Sequence, residues 1–355
     1  MSTIGEKFDP RHNSLNAIRL ILALVVIAVH SWPIGGWGHI PEWHGRDFGN
    51  TAVAGFFAIS GYLITASRMS TPSIVDYFWR RFLRIYPAYL VALLMVAAVF
   101  APVYTLLTDR DSYEWKSGIT YFFNNFTLYI QQWGIAGTLQ EAPYPDVWNG
   151  SLWTLYFEAL CYVAIGLGVS IVPRRFVVPA VFVGLILTGT YNVLHVWRGF
   201  VIHDMLTFFS QLAVYFCAGA LLYLLRDKIP MNGWLTAVAA CLATLTIPLG
   251  LFPLLGALPF AYVMMWLGIK LPLQSVGRKN DFSYGTYIYA MPLQQILVAI
   301  YDWTKLPIGV FVALSIACAA PFALLSWFVI EQPAMTLKRL TKKRTDRARE
   351  KAAIT

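Results

Sequence analysis

Charge is scarce in this chain. Of its 355 residues only 13% are Asp, Glu, Lys or Arg, against 58% hydrophobic ones. Soluble domains carry about a quarter charged residues, so this composition excludes an ordinary soluble domain and implies a polytopic membrane protein. Cysteine is scarce as well. Cys161, Cys217, Cys241 and Cys318 all fall in apolar runs with no CxxC or metal spacing, which reads as inert thiols and no metal site. Also missing are a P-loop, a Rossmann glycine pattern, an HExxH pair and a GxSxG elbow, which removes the chemistries those motifs serve. No internal repeat is visible, which argues against an inverted-repeat transporter. No zipper or GxxxG seam stands out, so the oligomeric state is left open. The net charge of +9 sits in short segments between apolar runs rather than on a compact basic domain, so no nucleic-acid partner is expected.

What the chain has is apolar length. A helix needs about 20 apolar residues to cross a bilayer, and ten such runs lie near 15–33, 51–68, 87–107, 151–172, 176–196, 204–225, 233–250, 254–270, 284–301 and 308–330. The first has no small-residue cleavage site and reads as a span, not a signal peptide. With the amino terminus and every second loop assigned to the cytoplasm, the opposite side keeps only Arg46, Arg110, Lys116, Arg198 and Lys305, with Arg19 inside a span. The positive-inside rule then places both termini in the cytoplasm. The expected fold is all-α: one transmembrane domain over 1–335, an external segment over about 108–150, and a basic cytoplasmic tail over 336–355 lying against lipid head groups.

Three stretches carry ionisable groups that a membrane span does not need. The first run holds Arg19 and His30, eleven residues apart. That spacing puts them on one helical face, roughly 16 Å apart along the axis. Either Arg19 snorkels to head groups and His30 is an interfacial histidine, or the two mark a common polar channel. The stretch "DYFWRRFLRIYPAYL" puts Arg80, Arg81 and Arg84 at the cytoplasmic side, with Arg80 and Arg84 on one face. Guanidinium groups bind phosphates with a forked geometry, so a phosphate-bearing cytosolic cofactor finds a site here; the plainer reading is a positive-inside anchor. In "NGSLWTLYFEALCYV", Glu158 lies about 10 Å along its helix from the outer end. A carboxylate at that depth needs a partner, either His30, which it would orient as a base, or an unrelated donor. In "GFFAISGYLITAS" the Ser60–Gly61 pair permits close helix packing, and no chemical role is given to Ser60. His39 and His44 read as exposed loop polarity, as do His195 and His203.

The ordered set Arg19 with ten residues before His30, "FFAISGYLI", "RRFLRIYPAY", "NGSLWTLYFEALCY", "SYGTYIYAMP" and "EQP" at Glu331–Pro333 resembles the acyltransferase-three family of integral membrane proteins, which acylate surface polysaccharides, lipo-oligosaccharides and some natural products. Many relatives carry a histidine where this chain has Ala290, so no role of that residue is transferred. The resemblance implies acetyl-CoA or another acyl-CoA as donor, with no metal, and a sugar hydroxyl of a polysaccharide or lipid-linked oligosaccharide as acceptor, at a bacterial inner membrane. It implies His30 and Glu158 as catalytic residues, with His30 a general base or a transient acyl carrier. It also implies that Arg80, Arg81 and Arg84 hold the nucleotide phosphates while Arg19 contacts the pantetheine arm. A transporter of a small anion or glycan is the rival reading, since it too would place Arg, His and Glu in a membrane cavity.

Overall fold

The computed structural model describes residues 2–108 and 112–340. They are predominantly helical. In chain order the elements are α1 (Ile4–Lys7), α2 (Leu15–Gly35), a hairpin of β1 (Glu42–Trp43) and β2 (Arg46–Asp47), α3 (Phe48–Ser70), and α4 (Ile74–Met95), which runs through a π-helical turn at Val96–Phe100 into α5 (Ala101–Thr108). There follow α6 (Trp115–Asn124), α7 (Trp153–Ile171), α8 (Arg174–Arg198), α9 (Asp204–Leu224), α10 (Gly233–Leu245), α11 (Ala257–Lys270), α12 (Ser283–Ile300), α13 (Ile308–Leu325) and α14 (Gln332–Thr336). Among the described residues, eight helical stretches are long and apolar enough to cross a membrane. The chain is a polytopic helical membrane protein.

Eight of the ten expected runs correspond to those stretches. The run at 233–250 is helical only over the 13 residues of α10, short of the roughly 20 that a span needs. The run at 284–301 is α12, whose Ser283, Thr286, Gln294 and Gln295 make it more polar than the others; all four are buried. The third span starts earlier than hydropathy suggests. Helix begins at Ile74 and continues for 35 residues to Thr108, so the arginine-rich stretch lies on the membrane helix itself. The expected basic tail falls mostly at 341–355, outside the described residues, as do Asp109, Arg110 and Asp111 of the expected external segment.

The chain divides into two compact units. The first comprises Met1–Leu22, Glu42–Phe78 and Phe157–Lys279; the second comprises Ala23–Pro41, Trp79–Tyr156 and Asn280–Thr355. Within the first, α3 and α9 pack backbone to backbone. A Cβ on Gly61 would come within 2.0 Å of the Phe216 carbonyl oxygen, and one on Gly219 within 1.9 Å of the Ala58 oxygen. Helix termini are satisfied by side chains, since Asp47 caps α3 through the Asn50 N–H and Asn232 caps α10 through the Leu235 N–H at 2.7 Å. Within the second unit, a cluster of Ile34, Met291, Leu297, Trp303 and Phe311 forms an apolar core, and Trp303 Nε1 donates to the Leu297 carbonyl at 2.7 Å.

The glycine seam can be tested directly. Gly61→Val should lower the unfolding free energy in detergent by about 1–3 kcal/mol, the usual cost of overpacking. Gly168→Ala, where an added Cβ meets nothing within 4 Å, should leave the melting temperature unchanged or slightly raised. Equal melting of the two variants would show that α3 and α9 do not need the seam.

Candidate active site

His30 lies near the end of α2, within the second unit. Its Nδ1 is 2.8 Å from the Val26 carbonyl, one helical turn back. A carbonyl only accepts, so Nδ1 carries the proton and, in the neutral ring, Nε2 carries the lone pair. This turn of α2 is pinned to α12. Gln294 Nε2 donates to the Ile27 carbonyl at 3.1 Å and to Ser31 Oγ at 2.9 Å, and Ser31 Oγ donates to Ile27 O at 2.9 Å. Gln294 is 1% exposed and Ser31 fully buried, which makes these bonds costly to lose.

The stretch "NGSLWT" is tied to the same helix. Asn149 Nδ2 donates to the Ile288 carbonyl at 2.7 Å, and the Thr154 hydroxyl lies 2.9 Å from Tyr287 Oη. Two of the stretches that carry the family resemblance therefore form one buried polar seam.

Glu158 is placed in the first unit, on α7. Its Oε1 accepts from Ser60 Oγ at 2.9 Å and from Tyr162 Oη at 2.5 Å. Ser60, given only a packing role from sequence, is thus a positioning residue for this carboxylate, and Tyr162 is a second. The pattern held one signal for Tyr162, its i+4 spacing from Glu158; nothing local announced Ser60. Arg19, half-buried on the early turns of α2, also lies in the first unit.

The three arginines of α4 do not share one environment. Arg84 Nη2 lies 2.5 Å from Asp281 Oδ2, and its Nη1 lies 3.2 Å from Glu331 Oε2. The Glu331 side chain is 2% exposed and that of Arg84 15%. Both carboxylates are further held, Glu331 by Ser326 Oγ at 3.0 Å and Asp281 by Ser283 Oγ at 2.6 Å. A π-helical turn over Ser326–Glu331 brings those two residues, five apart, within hydrogen-bond reach. Both terminal nitrogens of Arg84 are thereby engaged by the protein. Arg80 and Arg81 are half-buried, and Arg80 Nε finds no acceptor among the described residues. Helical periodicity puts Arg80 and Arg84 on one face but does not tell which of them meets the acids; Asp281, in a basic connector, carried no sequence signal at all.

Comparison with known proteins covers nearly the whole chain. A family model described as an acyltransferase domain matches residues 12–331. The chain is 26% identical over 380 aligned positions to nodulation protein 10 of Rhizobium leguminosarum bv. viciae, covering 95% of this chain and 97% of that protein. It is 25% identical over 340 positions to an O-acetyl transferase of Shigella phage Sf6, covering 92% of this chain and 97% of that protein. No solved structure matches.

Breaking the buried ion triad should be severe. Arg84→Ala leaves two largely buried carboxylates facing each other without their cation, and a loss of about 3–5 kcal/mol in detergent unfolding is expected. Combining it with Asp281→Asn and Glu331→Gln should restore part of that loss. A triple variant no more stable than Arg84→Ala would show that charge is not what holds these segments.

Proposed function

Because the chain belongs to the acyltransferase-three family of membrane O-acyltransferases, we propose that it moves an acetyl group from cytosolic acetyl-CoA to a sugar hydroxyl of a surface polysaccharide or its lipid-linked precursor. The name of the phage relative, an O-acetyl transferase, supports acetyl as the group moved. The observation that carries the chemistry is the bond between His30 Nδ1 and the Val26 carbonyl, which leaves Nε2 as the basic nitrogen. General bases of this kind contribute about 10²–10⁴-fold.

In this reading Nε2 removes the proton from the acceptor hydroxyl as its oxygen attacks the thioester carbonyl. The carbon–sulfur bond then breaks, and the CoA thiolate takes the proton back from Nε2, so the imidazole is unchanged over a turnover. Glu158, its Oε1 held by the Ser60 and Tyr162 hydroxyls, is assigned as the second catalytic residue. The donor phosphates fall to Arg80 and Arg81 rather than to all three arginines, because Arg84 is committed to Asp281 and Glu331 and serves to fix the helix that presents its neighbours. Arg19 is assigned to the pantetheine arm. The charge asymmetry of the loops supports a cytoplasmic entry for the donor.

Membranes supplied with labelled acetyl-CoA and polysaccharide should build label into a base-labile ester. His30→Ala should cut that incorporation by at least about 10²-fold while eluting as a folded protein in detergent, and retained turnover would remove histidine from the mechanism. Arg80→Gln and Arg81→Gln should each raise the KM for acetyl-CoA by about tenfold, the scale of one charge-assisted hydrogen bond. With acetyl-pantetheine, which lacks the nucleotide, the same variants should match wild type; an equal penalty with both donors would place these arginines away from the phosphates.

A further inference from the structure

One cavity in the first unit belongs to none of the groups above. Its volume is about 190 Å³, and it is lined from the β-hairpin, the start of α3, the end of α8, the middle of α9 and the 246–253 connector. The hairpin turns through His44 and Gly45 with φ of 49° and 73°, a mirror-image turn that suits two-residue hairpins and delivers Arg46 to the cavity wall. The Arg46 guanidinium lies 4.0 Å from the Phe252 ring centroid and 5.5 Å from that of Tyr215, so its faces are taken by aromatic rings.

The guanidinium also has a side-chain hydrogen bond with Tyr215, but its Nε–Nη2 edge is not taken. Arg46 Nε and Nη2 are buried and find no acceptor among the described residues. These two nitrogens form one side of the guanidinium, the fork that a carboxylate or phosphate engages with two parallel bonds. Asp47, adjacent in sequence, is no substitute: its Oδ1 accepts from the Asn50 N–H at 2.5 Å and its Oδ2 from Asn50 Nδ2. Two buried cationic donors without an acceptor are costly, and the cavity has room for several waters' worth of ligand. The remaining polar wall is the Asp47 carboxylate, held by Asn50, together with amides and imidazoles. Gln211, Asn192 and His195 line it, and His195 Nδ1 reaches the Phe200 carbonyl at 3.3 Å, which leaves Nε2 as an acceptor in the neutral ring. Such a wall suits hydroxyl groups that both donate and accept.

We propose that this cavity is an acceptor-recognition site for a sugar bearing an oxyanion, either the carboxylate of an acidic sugar or a phosphate ester on the glycan. It lies where α3 begins and α8 ends, the side to which the loop charges assign the exterior. The inference rests on the acyltransferase reading for its biological sense, but not for its test, which uses the resting protein without acetyl-CoA.

Purified protein in detergent is titrated by calorimetry with methyl glucuronoside, glucose 1-phosphate, inorganic phosphate and neutral methyl glucoside. At least one of the two anionic sugars should bind, and binding should weaken by about 10–100-fold in Arg46→Gln, the loss of a bidentate charged contact. Arg46→Lys, which keeps the charge but not the fork, should not restore it. If the Arg46 variants do not fold, Gln211→Leu on α9 should still weaken the sugar-bearing probes relative to inorganic phosphate. Preference for the glucuronoside identifies a carboxylate, and preference for the sugar phosphate identifies a phosphate ester; both support the site. Methyl glucoside binding as tightly as the anionic sugars, inorganic phosphate binding as tightly as either, or no probe binding at all overturns it. Failure here with acetyl transfer intact discards the cavity alone, whereas binding in a protein that transfers no acetyl group discards the enzymatic reading alone.

Discussion

A guanidinium surrounded by apolar helices must find its acceptors in the protein or in a ligand, because the hydrocarbon region supplies none. That constraint organises both units. In the second, Arg84 is answered by Asp281 and Glu331, so one cation fixes α4, the connector before α12 and the π-helical turn after α13 against each other. In the first, Arg68 is 8% exposed and is answered by neutral groups, the carbonyls of Gly166 and Thr71 and Ser170 Oγ; this ties the end of α3 to α7. Arg46 meets aromatic faces but no acceptor along one edge. The same requirement therefore gives an ion triad, a neutral strut and a ligand cavity, depending only on what surrounds the group.

The second unit shows how a helix of modest hydropathy is used. Ser283, Thr286, Tyr287, Gln294 and Gln295 of α12 are all buried, and their placement matches the polar work around them. Tyr287 meets Thr154, and Gln294 holds the Ile27–Ser31 turn. Gln295 Nε2 donates to the Tyr144 and Val147 carbonyls at 2.9 and 3.0 Å, which secures the segment just before Asn149. Close approach is also built in, since a Cβ on Gly285 would lie 2.9 Å from Ala323 Cα. With Ala290 buried at 3% exposure, α12 reads here as the polar spine that positions its neighbours, in keeping with the missing histidine.

Hydropathy made most spans legible, because burial in lipid demands length and apolarity whatever the tertiary contacts. Gly61 was legible as a close-approach residue for the same local reason. Contacts between distant residues were not. Ser60 and Glu158 lie 98 positions apart, and Arg84 and Asp281 lie 197 apart; no periodicity links such pairs, so Ser60 reads as a packing residue and Asp281 as loop charge. The hairpin was also hidden, since it turns on His44-Gly45 rather than on an Asn-Gly or Asp-Gly pair. Without the hairpin, Arg46 was just one of the few positive charges on the outer side.

The proposed base and the proposed acceptor site draw on different kinds of interaction. The tautomer of His30 follows from a contact one turn back within α2, and a helix alone can supply it. What the helix cannot supply is its own position, which Gln294 provides from 263 residues away. Arg46, by contrast, is aimed by a six-residue hairpin paired as Glu42 with Asp47 and Trp43 with Arg46, and short exposed connections tolerate change far better than buried helix seams. A fold arranged in this way can hold its acyl-transfer chemistry constant while the hairpin and its cavity vary, so diversity of acceptors within the family does not require any change at the imidazole.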